Sequence, residues 1–385
     1  MKRARILILT ASIGSGHTRA AEAICAALTA HPHAKDMQVD VVDFMTREVS
    51  VIHYLMKRIY LTMLRFVPDL YDVFFRVAGK NTSGGIVRNA FAWVMVCAVG
   101  RLIRDYEPDL IVATHPFPEG AAALWRARNG ESFALAALLT DYALHEIWLT
   151  RNVDTYFVAT ESMAAGMAER GFDVRMVHAT GIPIAPADYA LARSEAQMRV
   201  GLTEDLPTLL LMGGGLGLGG MDITLTALEA VERRLSILVV AGHNAALAAH
   251  ARGVARTSRH VIRVFAYTHE VSVLMRAADL LITKPGALTI SEAFAAGLPL
   301  LLHDPIPGPE TENAIYAIRC GAAVWLHPGE QMAPAVKEIL DHRISQMRKA
   351  ARDCACEEAA QHVAEMLVEM LTRKRGERNG SEKNP

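Results

Sequence analysis

The chain has 385 residues, 51% of them hydrophobic, and a formal net charge of −1. Its length exceeds what one hydrophobic core normally supports, so we expect two domains. A charge near zero gives no reason to expect nucleic acid as a partner. The five cysteines lack the CxxC pairs of zinc sites, which excludes that class and indicates a reducing cytoplasm.

Short aliphatic runs alternate with helical patterns along the chain. The first run, RILIL, is predicted as a strand rather than a signal peptide, and no run is long enough to span a bilayer. The predicted strands lie at 5–10, 38–43, 109–113, 134–139, 154–159, 175–179, 208–212, 236–241, 261–265, 279–283, 298–302 and 322–326. The predicted helices include 18–30, 222–234, 244–252 and 288–296. This alternation predicts an α/β protein with two parallel sheets between helices.

The pattern divides the chain into two α/β domains that are expected to face a cleft. The first spans 1–182, a proline-containing linker follows at 183–206, and the second spans 207–345. A helix at 346–372 is expected to pack back toward the first domain, and the polar tail 373–385 is expected to be disordered. Ligands of open parallel sheets bind beyond the carboxyl ends of the strands, so the informative residues should follow strands.

Each domain opens with a glycine-rich loop after its first strand. These loops read TASIGSGHTR at 10–19 and LLLMGGGLGLGGMD at 209–222. Neither contains the Gly-Lys-Ser/Thr of a P-loop, and the strand after the second loop lacks the acid of an NAD site. The second loop therefore either binds a diphosphate through backbone N–H groups or is a tight turn without a ligand.

The stretch ITKPGALTISEAFAAGLPLLLHDPIPGPETEN places polar residues after two strands. Lys284 precedes a predicted helix whose first N–H groups suit an anion, although a surface lysine is the alternative. Glu292, one turn into that helix, can bridge two ribose hydroxyls or simply complement the helix charge. Glu310 and Asn313 are predicted on a loop, where a carboxylate and an amide suit sugar hydroxyls.

Three motifs resemble those of the diacylglycerol glycosyltransferases of glycosyltransferase family 28, which include bacterial processive diacylglycerol glucosyltransferases and monogalactosyldiacylglycerol synthases. The motifs are ILILTASIGSGHTRAAEAI, LLTDYALHEIWLTRNVDTYFVATE and the stretch ending PETEN, in the family's order over residues 6–313. The resemblance implies a GT-B fold of two Rossmann-like domains facing a cleft. It also implies a UDP-sugar co-substrate, inversion at the anomeric carbon, and no catalytic metal or other cofactor.

The same resemblance implies a UDP-sugar site in the second domain. Gly214 and Gly215 would lie near the diphosphate, with Lys284 beside it, and Phe265 and Ala266 would frame the uracil. Ala287, Leu288 and Thr289 would present their N–H groups to phosphate. Glu292 would hold the ribose, and Glu310 and Asn313 would hold the hexose. The family loop usually reads Pro-Gly-Gln-Glu, but Pro309 replaces the glutamine here, so glucose and galactose both stay open.

An inverting transfer needs a group that removes the proton of the acceptor hydroxyl. His17, at the end of the first glycine loop, is the best candidate, and the helix N-terminus there is expected to lower the pKa of its imidazole. Its alternatives are phosphate binding or helix capping. Asp141 is the second candidate base, and His115 also follows a strand, where it can act as the base, orient it, or contact the acceptor.

Residues 51–67 carry an apolar helical face opposite a basic one. Residues 47–104 contain nine Lys/Arg and three Asp/Glu, which leaves the rest of the chain acidic. We call residues 47–104 the basic segment. It predicts contact with an anionic membrane surface, or alternatively a helix that packs on the first sheet. The predicted membrane and acceptor residues are Ile52, Met56, Lys57, Arg58, Met63, Arg65 and Phe66.

The sequence therefore predicts a peripheral enzyme at the cytoplasmic face of the membrane. Its expected reaction moves a hexose from a UDP-sugar, UDP-glucose being favoured over UDP-galactose, to diacylglycerol. The alternatives are a lipid II-type transferase, a UDP-sugar epimerase, or a non-catalytic lipid or nucleotide-sugar binding protein.

Overall fold

A computed structural model describes residues 3–12, 15–44, 85–187, 189, 191–203, 205–213, 220–303, 309–327 and 330–381. It divides into two units, Met1–Pro186 with Glu357–Pro385, and Ala187–Cys356. Among the helices of these described residues, none combines the length and the hydropathy needed to cross a bilayer.

The first unit contains a parallel sheet of six strands in the order β2-β1-β3-β4-β5-β6. The strands are β1 (Ala4–Thr10), β2 (Met37–Asp43), β3 (Leu110–Ala113), β4 (Ala134–Leu138), β5 (Thr155–Val158) and β6 (Val177–Ala179). The helices are α1 (Ser15–Ala30), α2 (Gly85–Tyr106), α3 (Pro116–Asn129) and α4 (Glu161–Glu169). The central strands are buried along their whole length, as strands covered on both faces must be.

The second unit contains a parallel sheet in the order β12-β11-β10-β7-β8-β9. Its strands are β7 (Thr208–Met212), β8 (Ser236–Val240), β9 (Val261–Phe265), β10 (Leu280–Thr283), β11 (Leu300–Leu302) and β12 (Ala323–Trp325). Its helices are α5 (Arg193–Arg199), α6 (Met221–Leu228), α7 (Ala245–Ala255), α8 (Val271–Ala277), α9 (Ala287–Ala295), α10 (Pro309–Arg319), α11 (Met332–Glu338) and α12 (Ile344–Asp353), with a π-helical turn at Ile339–Arg343. The final helix, α13 (Ala359–Ser381), belongs to the first unit.

All twelve predicted strands are present, so the predicted fold class of two Rossmann-like α/β units is confirmed. Several boundaries differ. The predicted linker 183–206 contains α5, which packs on α8 in the second unit. The helix predicted at 222–234 ends at Leu228, where the chain turns so that Val231 reaches the core. The tail predicted to be disordered from 373 is helical as far as Ser381.

Helix α13 contributes to the core of the first unit although it comes last in the chain. Val363, Ala364, Leu367 and Leu371 are buried against the sheet and α1. Burial of an aliphatic side chain contributes roughly 1.5–3 kcal/mol, so this stripe fixes the end of the chain to the unit that contains its beginning.

Candidate functional site

The topology of each sheet marks one place where loops diverge. In the first sheet β2 lies on one side of β1, and β3, which follows in the chain, lies on the other side. Ligands of doubly wound sheets bind at this switch point, beyond the carboxyl ends of the strands. His17 lies in the first turn of α1 after β1, and Thr114 and His115 follow β3 directly.

Two threonines fix the ring of His17. Its Nδ1 lies 2.8 Å from the backbone oxygen of Thr114 and 2.7 Å from Oγ1 of Thr140. A carbonyl oxygen only accepts, so Nδ1 carries the proton and donates it, and in the neutral ring the lone pair is on Nε2. Thr114 also donates through Oγ1 to the backbone oxygen of His17 at 3.1 Å, which holds this residue at both ends.

The protonation state of His17 follows from its surroundings. Burial lowers the pKa of its imidazole, against the opposing effects of the Asp141 carboxylate and the Thr114 carbonyl. The main cause is therefore burial rather than the helix N-terminus that the sequence suggested. His17 is neutral at pH 7, and its Nε2 is available as a base. Asp141, half-buried after β4, acts on this ring through its charge.

His115 is a second buried imidazole beside the first. The two ring centres are 4.6 Å apart in an edge-to-face arrangement. His115 is the N-cap residue of α3, and its Nδ1 accepts from the backbone N–H of Phe117 at 3.2 Å. Burial, with the neighbouring His17, holds the pKa of His115 well below its usual value.

Glu119, one turn into α3, is a fully buried acid. The hydroxyl of Tyr156 lies 3.3 Å from its Oε1 and also donates to the backbone oxygen of Thr150. Burial raises the pKa of Glu119 well above its usual value, despite nearby hydroxyls that lower it. Burial, with the adjacent Glu119, also raises the pKa of Tyr156, so both shifts favour the uncharged side chains.

This burial predicts a pH-dependent stability difference between the wild type and Glu119→Gln, which mimics the protonated acid. The folded state keeps a proton that the unfolded chain releases near pH 4.5. The wild type therefore loses stability as the pH rises from that value toward the folded pKa, whereas the variant does not. Chemical denaturation from pH 4 to 9 should show that the free energy of unfolding of the variant increases relative to that of the wild type as the pH rises. A constant difference would mean that Glu119 is ionised in the folded protein.

The second sheet has its switch point between β7 and β10, in the order typical of dinucleotide-binding folds. Lys284 directly follows β10, and α9 begins three residues later. The N–H groups of its first turn have no partner within the helix and face an anion favourably. These are the N–H groups of Ala287, Leu288 and Thr289. Glu292 is buried one turn further along α9.

Lys284 and Glu310 form an ion pair between the end of β10 and the first turn of α10. The prediction that Glu310 and Asn313 lie on a loop is wrong, because α10 already begins at Pro309. The signal was a proline at the first helical position followed by acids in the first turn. Asn313 is buried on this helix.

Sequence reasoning missed an exposed aromatic cluster after β8 and β9. The rings of His243 and Tyr267 are stacked with centres 4.5 Å apart and planes at 15°, and His269 meets Tyr267 edge-to-face at 5.3 Å. Tyr267 is 52% exposed. Phe265 and Ala266, predicted to frame the uracil, lead directly into this cluster and are half-buried and exposed respectively.

Two groups of predicted residues lie outside the described residues. They are Gly214 and Gly215 of the second glycine loop, and Ile52, Met56, Lys57, Arg58, Met63, Arg65 and Phe66 of the basic segment. Within the ranges that the structure describes, no cluster of three His, Cys, Asp or Glu side chains could hold a metal ion.

Comparison with known proteins gives relatives that match nearly the whole chain. The processive diacylglycerol beta-glucosyltransferase of Bacillus cytotoxicus is 31% identical over 376 residues, covering 96% of this chain and 94% of the relative. That of Bacillus thuringiensis is 30% identical over 383 residues, with the same shares covered. This chain belongs to the diacylglycerol glycosyltransferase family. The predicted resemblance is thus confirmed.

Two family models match the two parts of the chain. The model of monogalactosyldiacylglycerol (MGDG) synthase matches residues 17–184, and that of the glycosyltransferase family 28 C-terminal domain matches 221–365. The first match begins at His17, the residue whose ring the two threonines fix.

Solved structures show that this chain has the GT-B fold. MurG of Acinetobacter baumannii matches with a TM-score of 0.62 at 15% identity, covering 95% of this chain and 99% of MurG. MnaA of S. aureus, solved with UDP, also has a TM-score of 0.62, at 13% identity over 97% of each chain. At such identities the likeness establishes the fold alone.

Proposed function

We propose that the protein transfers a hexose from a UDP-sugar to the hydroxyl of diacylglycerol, with inversion, to give a β-glycosyl-diacylglycerol. UDP-glucose is the favoured donor, in line with the names of its relatives, and UDP-galactose is the alternative. The observation that carries the proposal is the neutral His17, with a lone pair on Nε2, at the switch point of the first sheet.

The reaction is a single displacement in this proposal. The acceptor oxygen bonds to the anomeric carbon as the bond to UDP breaks, the hydroxyl proton passes to Nε2 of His17, and the electron pair leaves with the diphosphate. A positioned base contributes roughly 10²–10⁴-fold. Lys284 and the first N–H groups of α9 stabilise the charge that develops on the diphosphate. No metal is required for this stabilisation, so we expect EDTA to leave the rate unchanged.

The donor spans the second sheet from β11 to β9. Glu310 and Asn313 on α10 hold the hexose, and Glu292 holds the ribose. Three strand spacings of about 4.8 Å separate β10 from β9, which suits the length of an extended nucleoside diphosphate. The uracil then reaches the end of β9, next to Phe265 and the exposed ring of Tyr267.

This orientation predicts that Tyr267→Ala weakens UDP binding roughly 10-fold, because stacking on an aromatic ring contributes about 1–3 kcal/mol per base. Tyr267→Phe keeps the ring and should bind UDP as the wild type does. Isothermal titration calorimetry with UDP and with pyrophosphate separates the contacts, since pyrophosphate binding should not change. Wild-type affinity of Tyr267→Ala for UDP would place the base elsewhere.

The acceptor is a membrane lipid in this proposal, and the basic segment 47–104 draws the enzyme to the anionic cytoplasmic face of the membrane. Each basic residue near such a surface contributes about 1 kcal/mol. Reversal of Lys57, Arg58 and Arg65 to Glu should therefore release the protein from anionic vesicles in a sedimentation assay. Unchanged sedimentation would favour a helix packed on the first sheet.

The donor and acceptor are tested by incubation with UDP-glucose or UDP-galactose and diacylglycerol in anionic vesicles. Mass spectrometry detects a hexosyl lipid, and sugar analysis after hydrolysis tells glucose from galactose. Failure of both donors to give a glycolipid would overturn the proposal. Release of an epimerised UDP-sugar would identify an epimerase, and transfer to a polyprenyl-linked acceptor added to a parallel incubation would identify a lipid II-type transferase.

A further inference from the structure

His115 is not needed as a base in the proposed reaction, yet it lies against the base. The residue is 6% exposed, and its ring centre is 4.6 Å from that of His17. A histidine that served only as a helix cap would need nothing beyond its contact with the N–H of Phe117. The position of the second ring, at the carboxyl end of β3, therefore calls for a chemical explanation.

The hydrogen bonds give the two rings opposite tautomers. Nδ1 of His17 faces the carbonyl oxygen of Thr114 and must carry a proton, so its Nε2 is an acceptor. Nδ1 of His115 receives the N–H of Phe117 and must hold a lone pair, so the proton of this neutral ring is on Nε2. Two adjacent rings thus present one acceptor and one donor nitrogen.

A hydroxyl group has the matching pair of functions, since its hydrogen donates and its oxygen accepts. We propose that His115 donates from Nε2 to the oxygen of the acceptor hydroxyl while His17 accepts its hydrogen. This inference rests on the proposed transfer reaction and adds a second catalytic residue to it. The two rings together orient the hydroxyl so that its remaining lone pair faces the anomeric carbon.

The donor also stabilises the transition state. As the proton moves to His17, negative charge develops on the acceptor oxygen, and a hydrogen bond from a fixed donor strengthens with it. Burial keeps His115 uncharged, so the donor does not repel the imidazolium that forms on His17. The same geometry selects an alcohol, because an acceptor without a hydroxyl hydrogen leaves Nε2 of His17 without its partner.

Two variants separate this role from that of the helix cap. Asn at position 115 retains a good N-cap for α3 but has no donor at the Nε2 position, whereas Gln extends a donor N–H further along the side chain. We expect His115→Asn to lower kcat/KM for the lipid acceptor roughly 10- to 100-fold. Its affinity for UDP and its melting temperature should stay close to those of the wild type. His115→Gln should recover part of the loss.

The inference would be overturned if His115→Asn had the same kcat/KM for the lipid acceptor as the wild type. It would also be overturned if His115→Asn and His115→Gln were both as stable as the wild type and lost kcat/KM equally. A second measurement does not depend on the acceptor. The ¹⁵N chemical shifts of labelled histidines should show a protonated Nδ1 in His17 and a protonated Nε2 in His115. The same tautomer in both rings would overturn the inference even if diacylglycerol is not the substrate, whereas an inactive wild type with opposite tautomers would overturn only the proposed acceptor.

Discussion

His17→Ala is expected to lower kcat roughly 10²–10⁴-fold while leaving UDP affinity nearly unchanged. The variant removes the Nε2 lone pair of a neutral imidazole in the first turn of α1, whereas the predicted UDP site belongs to the second unit. Initial rates with UDP-glucose and vesicle-bound diacylglycerol measure the first effect, and calorimetry with UDP measures the second. His33→Ala, an exposed histidine in the same unit, is the control and should keep full activity.

The pH profile then distinguishes His17 from Asp141 as the base. Burial lowers the pKa of His17 below 6.5, so kcat/KM should not change with pH near pH 7. It should fall only at more acidic pH, as the imidazole takes up a proton. The Asp141 carboxylate raises this pKa, so Asp141→Asn should move the acidic limb to lower pH with activity retained. Loss of activity at every pH in Asp141→Asn, with a functional His17→Ala, would reverse the assignment.

Lys284→Ala should lower kcat roughly 10²–10³-fold, because it removes a fixed positive charge from the place where the diphosphate departs in the proposed reaction. Lys284 is 20% exposed in its side chain and pairs with Glu310, so it is held rather than solvated. UDP affinity should fall as well, since the product carries the same charge. Lys284→Arg keeps the charge and should retain more activity. Lys349→Ala, which breaks an exposed pair with Asp353, is the matched control and should change nothing.

Glu310→Gln separates the two ends of the same ion pair. If Glu310 holds the hexose, the variant should weaken UDP-glucose but not UDP, which lacks the sugar. Both single variants leave a partly buried partner uncompensated, so their melting temperatures must be compared before the kinetics. Equal activity of Lys284→Ala and the wild type would mean that Lys284 serves only the ion pair between β10 and α10.

The sheets could be predicted because buried parallel strands consist of runs of aliphatic residues between residues that favour turns. Examples are RILIL in β1 and LLIT in β10, each of which is followed by a residue of the candidate site. The switch-point rule then located His17, His115 and Lys284 from the sequence alone. Strand ends, where the candidate residues lie, were therefore the most predictable part of the molecule.

Contacts between distant loops could not be predicted in this way. Thr140 reaches the ring of His17 from 123 positions away, and the stack of His243 on Tyr267 joins the loops of two neighbouring strands. No local pattern in the sequence pairs either contact's two residues. The helical start at Pro309 was written in the sequence, but the surrounding prolines and the expected sugar contacts favoured a loop. The contacts of Thr140 and of His243 arise from the packing of segments distant in the sequence, not from local propensity.

The central claim is that the transfer is a single displacement on a UDP-sugar, in which the acceptor hydroxyl gives its proton to His17. The anomeric proton of the product tests it most directly, by ¹H NMR of the glycolipid made from UDP-glucose and diacylglycerol. UDP-glucose is α-linked, so one displacement predicts a β-glucoside, with the large coupling of two axial protons. An α-linked product, with the small coupling that retention would leave, would contradict the account.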